Sequence, residues 1–131
     1  MFLDSNVLIH AYTSKGRDGE ICGRMMEGIA KGEQNAVSSP LVFDEVLYYM
    51  LNHHGLDFAE SAWRKMIATP HLRLLPVDEK VVPHVMKFVK AGLEPRDAFH
   101  AATMHANGID TICSYDKGFD RVPSIRRQVP K

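Results

Sequence analysis

The chain has 131 residues and a mass of 14.8 kDa, the length of one typical domain, so we expect a single domain over residues 1–131. With 45% hydrophobic, 24% charged and 8% aromatic residues, the composition excludes disordered, collagen-like and disulfide-scaffold proteins. Sixteen basic residues balance sixteen acidic ones, so the net charge predicts no general affinity for nucleic acid, and any charge signal must be local.

The cysteine content indicates neither a metal site nor a disulfide framework. Cys22 and Cys113 are the two cysteines, and their wide spacing matches no zinc or thioredoxin-like motif. The longest apolar runs are far shorter than the ~20 residues that span a bilayer, and Asp4 interrupts the N-terminus too early for a signal peptide. We therefore expect a cytoplasmic protein that does not enter a membrane.

The first predicted element is a buried strand at Met1–Leu3, which ends at the polar triplet Asp4-Ser5-Asn6 and leads into a short helix. Helical spacing, cap residues and short apolar runs then predict five more helices and three more strands. Alternating strands and helices indicate an α/β fold with a parallel sheet. In chain order, these elements are a helix from an Asp18 cap to Gly32, a strand at Asn35–Ser38, a helix from Pro40 to about His53, a helix from an Asp57 capping box towards Ala68, a strand at Leu72–Val77, a helix from an Asp78 cap to about Gly92, a helix at Pro95–Ala106 and a strand at Ile109–Cys113.

Charge is unevenly distributed along the chain. Residues 117–131 hold five basic side chains and one acidic side chain, a net charge of +4, whereas residues 1–116 carry a net charge of −4. Exposed runs of charge are common without a ligand, so we interpret this tail as a solvated strand end on the surface rather than as a phosphate-binding patch.

Four acidic residues are expected near the interior. Ligands of parallel sheets collect outside the carboxyl ends of the strands, where the predicted elements place Asp4 and Asp116. Helical spacing puts Glu45 at the border of an apolar stripe and Asp97 in an inward-facing first turn, where the helix dipole alone would explain one carboxylate. Four clustered anions are harder to explain without a cation, and an all-oxygen ligand set favours Mg²⁺ or Mn²⁺ over zinc. This pattern points to phosphodiester chemistry.

The segments that carry these acids resemble the motifs of the PIN-domain ribonucleases and, within that family, the VapC-type toxins of toxin–antitoxin pairs. Each segment is a weak signal alone, but four in this order and spacing form a specific one. The resemblance extends over nearly the whole chain, with Ser5 standing where threonine is commoner. The four segments are Phe2–Leu8, Ser39–Leu47, Pro95–Ala102 and Ile112–Phe119.

The resemblance implies a three-layer α/β/α fold with a central parallel sheet of about four to five strands. It also implies that Asp4, Glu45, Asp97 and Asp116 are the catalytic residues and bind Mg²⁺ or Mn²⁺. In the family's reaction, a metal-activated water attacks an RNA phosphate in line and leaves a 5′-phosphate and a 3′-hydroxyl.

Further roles follow for residues around these four acids. Asn6 and Ser114 match positions that hydrogen-bond the groups around the metal, and Asp120 is a candidate for an additional, water-mediated acid. The resemblance also implies three partners, namely an RNA substrate, a second copy of the chain in a homodimer, and a VapB-type antitoxin.

Two basic residues beside the acids are candidates for substrate binding. Arg96 precedes Asp97 and could neutralise a phosphate at the mouth of the site, or it could pair with Glu94. Lys117 follows Asp116 and is assigned the same substrate-binding role.

His100 shares a helical face with Asp97 and invites assignment as a general base. Histidines on packed helices more often bond a backbone carbonyl through one ring nitrogen, so we expect a structural role for His100.

Three other functions remain as alternatives. An aspartate-nucleophile phosphatase needs a second aspartate two residues after the first, where this chain has Asn6. A dinucleotide-binding protein needs Gly-x-Gly-x-x-Gly after the first strand, and that motif is missing. The serious rival is a catalytically inactive PIN-fold module for RNA binding or assembly, which would bind metal without cleaving RNA. The complete set of four acids counts against this rival.

Overall fold

The computed structural model describes all of residues 1–131 and contains five strands and six helices. The strands have two or three residues each, so helices make up most of the regular structure. In chain order, the elements are β1 (Phe2–Leu3), α1 (Ser5–Thr13), α2 (Arg17–Ala30), β2 (Ala36–Ser38), α3 (Pro40–His54), α4 (Leu56–Ile67), β3 (Leu72–Leu74), a 3-10 turn (Val82–His84), α5 (Val85–Lys90), α6 (Pro95–Ala106), β4 (Thr111–Cys113), a 3-10 segment (Lys117–Arg121) and β5 (Arg126–Gln128).

The five strands form one parallel sheet in the order β3-β2-β1-β4-β5. Phe2 of β1 is in register with Val37 of β2 on one side and with Ile112 of β4 on the other. Both residues of β1 are buried, as expected for a central parallel strand that is covered on its two faces. The chain runs from β1 outward to β3 and then returns to β4, so the direction of strand progression reverses between β1 and β4.

Helices cover both faces of the sheet. The right-handed crossover rule places the helices that connect β1 to β3 on one face and those that connect β3 to β4 on the other. In agreement with this rule, α1 packs against α2 and α3, and α3 packs against α4, whereas α5 packs against α6. The predicted α/β/α fold with a central parallel sheet is therefore confirmed.

The edge strand β5 was not among the predicted elements. Its residues Arg126, Arg127 and Gln128 lack any apolar alternation, yet they pair in parallel with β4. The interpretation of the C-terminal segment as a solvated surface is wrong for Arg127, because only 12% of this side chain is exposed and it forms an ion pair with Asp120.

Two predicted strands are longer than the observed ones by two residues or more, and the other two by one residue. β3 ends at Leu74, shortly before Pro76, which has no N–H to continue a ladder. β4 begins at Thr111 because the N–H of Ile109 donates to the carbonyl of Met104 and closes the end of α6.

Two of the predicted cap residues lie inside their helices. The N-cap of α2 is Gly16, and Asp18 lies in the first turn. The N-cap of α4 is Gly55, so Asp57 does not form the predicted capping box and instead lies in the first turn, where the helix dipole still favours an acid. Gly55 also ends α3, and its φ of 84° is one that glycine adopts without strain.

The helix predicted from Asp78 to Gly92 is shorter and is divided. Residues Val82–His84 form the 3-10 turn, and α5 follows it. Pro83 lies within this turn, where its ring and missing N–H oppose a regular α-helix. Asp78 accepts a hydrogen bond from the N–H of Lys80 in a local turn.

The apolar core lies between the sheet and its helices, with Phe2, Phe88 and Phe119 among its fully buried side chains. None of the helices has the length and hydropathy needed to cross a membrane. Polar side chains are also buried, including Asp4 and His100, and such groups are costly unless they are paired. These buried polar groups mark a candidate functional site.

Candidate active site

The site lies where the carboxyl ends of β1 and β4 adjoin at the centre of the sheet. Asp4 follows β1 directly and Ser114 follows β4, and the N–H of Asp4 donates to the carbonyl of Cys113 across the two strands. The strand order reverses between these strands, which is the position where open α/β sheets bind their ligands.

Asp4 is the most enclosed carboxylate of the site, with 3% of its surface exposed. It is the N-cap of α1, and its Oδ1 accepts the N–H of Ser5 at 2.8 Å. Its Oδ2 accepts hydrogen bonds from the amide of Asn6 and from the hydroxyl of Ser114. Burial raises the pKa of Asp4 above its usual value, and the hydrogen bond from Ser114 opposes that rise.

The hydroxyl of Ser114 connects three parts of the site. It donates to Asp4 and accepts from Asn6 Nδ2 at 3.0 Å and from the N–H of Asp116 at 2.9 Å. Asn6 Oδ1 also accepts the N–H of Tyr115 at 3.2 Å. The network fixes the chain after β4 against the start of α1.

The backbone of Asp116 belongs to this network, but its side chain lies outside the network and is exposed to solvent. Its Oδ1 accepts the N–H of Gly118 at 2.7 Å and caps the 3-10 segment, while the residue itself is exposed. It is therefore oriented by its own backbone turn.

Glu45 reaches the site from α3 and accepts hydrogen bonds on both of its oxygens. Ser5 Oγ donates to Oε2 at 2.7 Å, His100 Nε2 lies 2.7 Å from Oε1, and Arg96 Nε lies 3.9 Å from Oε1. Burial alone would raise the pKa of Glu45, but the bond to His100, the adjacent charges and the Ser5 hydroxyl together lower it. This carboxylate is held in its ionised form.

Asp97 lies in the first turn of α6, directly after the Arg96 position, and is half-buried. Burial is the largest cause that raises its pKa to about 6, and repulsion from Asp4, Asp116 and Glu45 adds to it. The four predicted acids thus act on one another electrostatically. We call Asp4, Glu45, Asp97 and Asp116 the acidic cluster.

The donor set of the acidic cluster fits a hard divalent cation. Carboxylate oxygens are the ligands that Mg²⁺ and Mn²⁺ prefer, and the repulsion that Asp97 experiences is the condition that a cation would relieve. Asp4, Glu45 and His100 also offer ligand atoms that lie within 4.8 Å of one another. The residues of the site therefore fit the metal that the sequence analysis implied.

His100 has a different hydrogen-bond partner from the predicted one. It is fully buried, but its ring bonds the carboxylate of Glu45 and not a backbone carbonyl. The predicted alternative for Arg96 is also wrong, because its nearest anions are Asp44 and Glu45, each at 3.9 Å, and not Glu94.

The remaining predicted site residues lie at the edge of the site. Lys117 is exposed at the start of the 3-10 segment that Asp116 caps. Asp120 lies in the same segment, and its two oxygens accept hydrogen bonds from Arg127 at 2.8 and 2.9 Å. Arg127 also donates to the carbonyl of Ser114 at 3.2 Å, so it links β5 to the site.

Sequence reasoning did not predict site roles for Ser5 and Arg127, or the contact between His100 and Glu45. A signal was present for His100, because an inward carboxylate at Glu45 requires donors and His100 shares a helix face with Asp97. No comparable signal marked Arg127, which depends on the unpredicted strand β5.

Comparison with known families identifies this arrangement. A family model for the PIN domain matches residues 1–125. The chain is a PIN domain. Among curated relatives, the VapC ribonuclease Mb1869c of Mycobacterium bovis is 24% identical over 129 residues, which cover 97% of this chain and 98% of the relative.

Solved structures of VapC and VapBC proteins share the fold. VapC20 of Mycobacterium tuberculosis, a toxin that cleaves the sarcin–ricin loop, superposes with a TM-score of 0.74 at 14% identity, covering 93% of this chain and 94% of its own. VapBC2 of Rickettsia felis, bound to a DNA fragment from its promoter, matches with a TM-score of 0.77 at 16% identity, covering 99% and 98% of the two chains.

Proposed function

We propose that this PIN domain is a metal-dependent endoribonuclease and the toxin of a VapBC-type toxin–antitoxin pair. The observation that carries the proposal is the acidic cluster, whose four carboxylates come from different parts of the chain. Burial, together with repulsion among these carboxylates, raises the pKa of Asp97 to about 6. The relatives named as VapC ribonucleases support the choice of RNA as substrate.

In this proposal, the acidic cluster holds Mg²⁺ or Mn²⁺. Such an ion supplies Lewis-acid chemistry, which neutralises charge on the scissile phosphate. It also lowers the pKa of water, so that water can lose a proton and attack phosphorus. Asp4 is held on both oxygens by Ser5, Asn6 and Ser114, so it meets the ion in one orientation. Such pre-organisation reduces the rearrangement that binding requires.

The side chains at the edge of the cluster bind the substrate. Arg96 lies half-exposed beside Glu45, and Lys117 is exposed beside Asp116, so each can contact a phosphate next to the scissile one. A water-mediated contact of Asp120 with the ion stays a prediction, because both of its oxygens also serve Arg127.

Partners and location follow from the same family membership. The solved neighbours include VapBC complexes from Rickettsia felis and Salmonella typhimurium, which support a VapB-type antitoxin as the partner of this chain. A homodimer and a cytoplasmic location belong to the same proposal.

The decisive test is cleavage of a panel of single-stranded and structured RNAs with Mn²⁺, Mg²⁺ or chelator. We expect metal-dependent cleavage that leaves 5′-phosphate ends and falls roughly 100-fold or more in Asp97→Asn, since even residues that only orient metal ligands are worth 10- to 100-fold. Asp110→Asn is the matched control, because Asp110 lies at the amino end of β4, whereas the site lies at the carboxyl ends of the strands. Asp110 also pairs with Arg126 on the surface.

Two results would overturn the proposal. Cleavage that persists in chelator, or that is unaffected in Asp97→Asn, would exclude the acidic cluster as the catalytic site. Mn²⁺ binding that requires Asp97 but accompanies no cleavage of any RNA would favour the catalytically inactive RNA-binding or assembly module.

A further inference from the structure

The buried ring of His100 contacts Glu45 through one nitrogen, and its other nitrogen has no hydrogen-bond partner. His100 has no exposed surface, and its Nε2 lies 2.7 Å from Glu45 Oε1. Its Nδ1 is the only buried side-chain nitrogen or oxygen of the chain without a hydrogen-bond partner. The ring therefore has a single polar contact, and that contact is with the acidic cluster.

This geometry determines where the ring carries its hydrogen. A 2.7 Å contact to an ionised carboxylate oxygen requires a hydrogen on Nε2, because two lone pairs would otherwise face each other. A hydrogen on Nδ1 would be a buried N–H without an acceptor, which proteins rarely tolerate. The geometry therefore favours a hydrogen on Nε2, which donates to Glu45.

Glu45 receives a second donor from another element. Ser5 Oγ of α1 donates to Oε2 at 2.7 Å, while His100 of α6 donates to Oε1. The two donors hold opposite oxygens of a side chain of which 15% is exposed. The carboxylate plane is thereby fixed between three helices, with lone pairs on each oxygen still free.

We infer that His100 is a positioning residue, which together with Ser5 orients Glu45 towards Asp4 for metal binding and is not itself a metal ligand. This inference rests on the metal site of the proposed function. The alternative is direct ligation through Nε2, because Asp4, Glu45 and His100 have ligand atoms close enough to share one ion. Direct ligation requires Nε2 to lose its hydrogen and Nδ1 to gain one without an acceptor.

The first test locates that hydrogen by ¹⁵N nuclear magnetic resonance of the imidazole rings, without metal and with Mg²⁺, which is diamagnetic. We expect the hydrogen of His100 on Nε2 in both states. A hydrogen on Nδ1 in the metal-free protein, or loss of the hydrogen from Nε2 when Mg²⁺ binds, would overturn the inference.

The second test measures Mn²⁺ affinity by calorimetry in His100→Leu and His100→Gln. Leucine removes the donor, so we expect affinity to fall roughly 10- to 100-fold, the usual effect of losing a hydrogen-bond partner of a metal ligand. Glutamine keeps an N–H donor at similar reach, so its affinity should stay closer to that of the unsubstituted protein. Unchanged affinity in His100→Leu would overturn the inference.

Thr103→Val is the matched control for packing. Thr103 is equally buried on α6, and its hydroxyl donates only to the carbonyl of Phe99. We expect this variant to keep its Mn²⁺ affinity, and an equal loss in Thr103→Val would show that packing and not Glu45 is responsible. Thermal unfolding identifies any variant that fails to fold, and Ser5→Ala, which removes the other donor, then replaces His100→Leu.

Failure of the proposed function is recognisable separately. An unsubstituted protein that binds neither Mn²⁺ nor Mg²⁺ would overturn the metal site, and this inference with it, before any variant is compared. RNA cleavage is not measured in either test, so a missing substrate does not affect the result.

Discussion

At the scale of single residues, Asp97 shows how the site trades stability for chemistry. Burial and three neighbouring carboxylates raise its pKa to about 6, so at neutral pH it is ionised against the preference of its surroundings. A group of this kind binds its proton more tightly in the folded protein than in the unfolded chain. Its ionisation therefore destabilises the fold.

The pH dependence of this effect has a defined sign. The stability that protonated Asp97 contributes is fully present below pH 3.8, the pKa of this side chain in the unfolded protein. This contribution falls as the pH rises towards 6, so the free energy of unfolding stays reduced at higher pH. In chelator at pH 7.5, we expect Asp97→Asn to be more stable than the unsubstituted protein by about 1–2 kcal/mol, a value reduced for the partial exposure of the side chain. Urea unfolding at pH 7.5 and pH 4 measures the difference, which should largely vanish at pH 4.

The surface variant Asp110→Asn is a control for the effect of replacing any aspartate by asparagine. Asp110 is exposed and pairs with Arg126, so its replacement should not reproduce a gain in stability that develops as the pH rises from 3.8 to about 6. Loss of stability in Asp97→Asn at pH 7.5 would contradict the assignment of Asp97 as a repelled carboxylate.

At the scale of elements, the corner between α1 and α2 depends on a close approach between the two helices. Gly19 in the first turn of α2 faces the end of α1, and a Cβ at this position would lie 2.0 Å from the carbonyl oxygen of Ser14. That oxygen belongs to backbone and cannot move aside as a side-chain tip could. The corner therefore requires glycine.

Two glycines on the same helix allow a controlled comparison. We expect Gly19→Ala to destabilise the protein by about 1–3 kcal/mol, because the added methyl group overlaps backbone. Gly23 lies in the middle of α2 with open space around its Cβ, so Gly23→Ala should stabilise by roughly 0.5–1 kcal/mol. Chemical unfolding measures both, and a neutral result for Gly19→Ala would contradict the tight corner.

Elements with strong local signals were predictable from sequence. β1 and β4 are short apolar runs that end abruptly in polar residues, and α6 begins with proline at its first position. The positions of these elements predicted Asp4, Asp97 and Asp116 as candidate site residues. β5 has no such signal. Its arginines form ion pairs with Asp110 and Asp120, contacts that exist only after the sheet has formed.

The same distinction applies to the site. A periodic pattern reveals that Glu45 faces inward, but it does not reveal which donors meet it from other helices. Ser5 and His100 are 40 and 55 residues away from Glu45 along the chain, so their contacts depend on tertiary packing. The acidic residues could be predicted from the sequence, but the side chains that hydrogen-bond to them could be identified only from the fold.

At the scale of the whole molecule, a protein of zero net charge concentrates its repulsion at one end of its sheet. A cation that binds there stabilises the folded protein but not the unfolded chain, because the four carboxylates are far apart when the chain is unfolded. Stability should therefore increase with the logarithm of metal concentration.

This linkage gives a direct measurement. At an Mn²⁺ concentration 100-fold above its Kd, we expect about 2.7 kcal/mol of added stability, or a rise in Tm on the order of 10 °C. Differential scanning calorimetry over a range of Mn²⁺ concentrations checks this rise, which chelator should reverse and Asp4→Asn should abolish. A Tm that does not respond to Mn²⁺ would contradict binding at the acidic cluster.

The hydrogen bond between Ser114 and Asp4 joins residues that are 110 positions apart in the chain. Closing so long a loop costs considerable entropy, which only the completed sheet repays. We therefore expect the site to assemble late in folding. During synthesis, residues 1–113 can already form helices, but the acidic cluster stays incomplete until Ser114 and Asp116 have been added and have joined the end of the sheet.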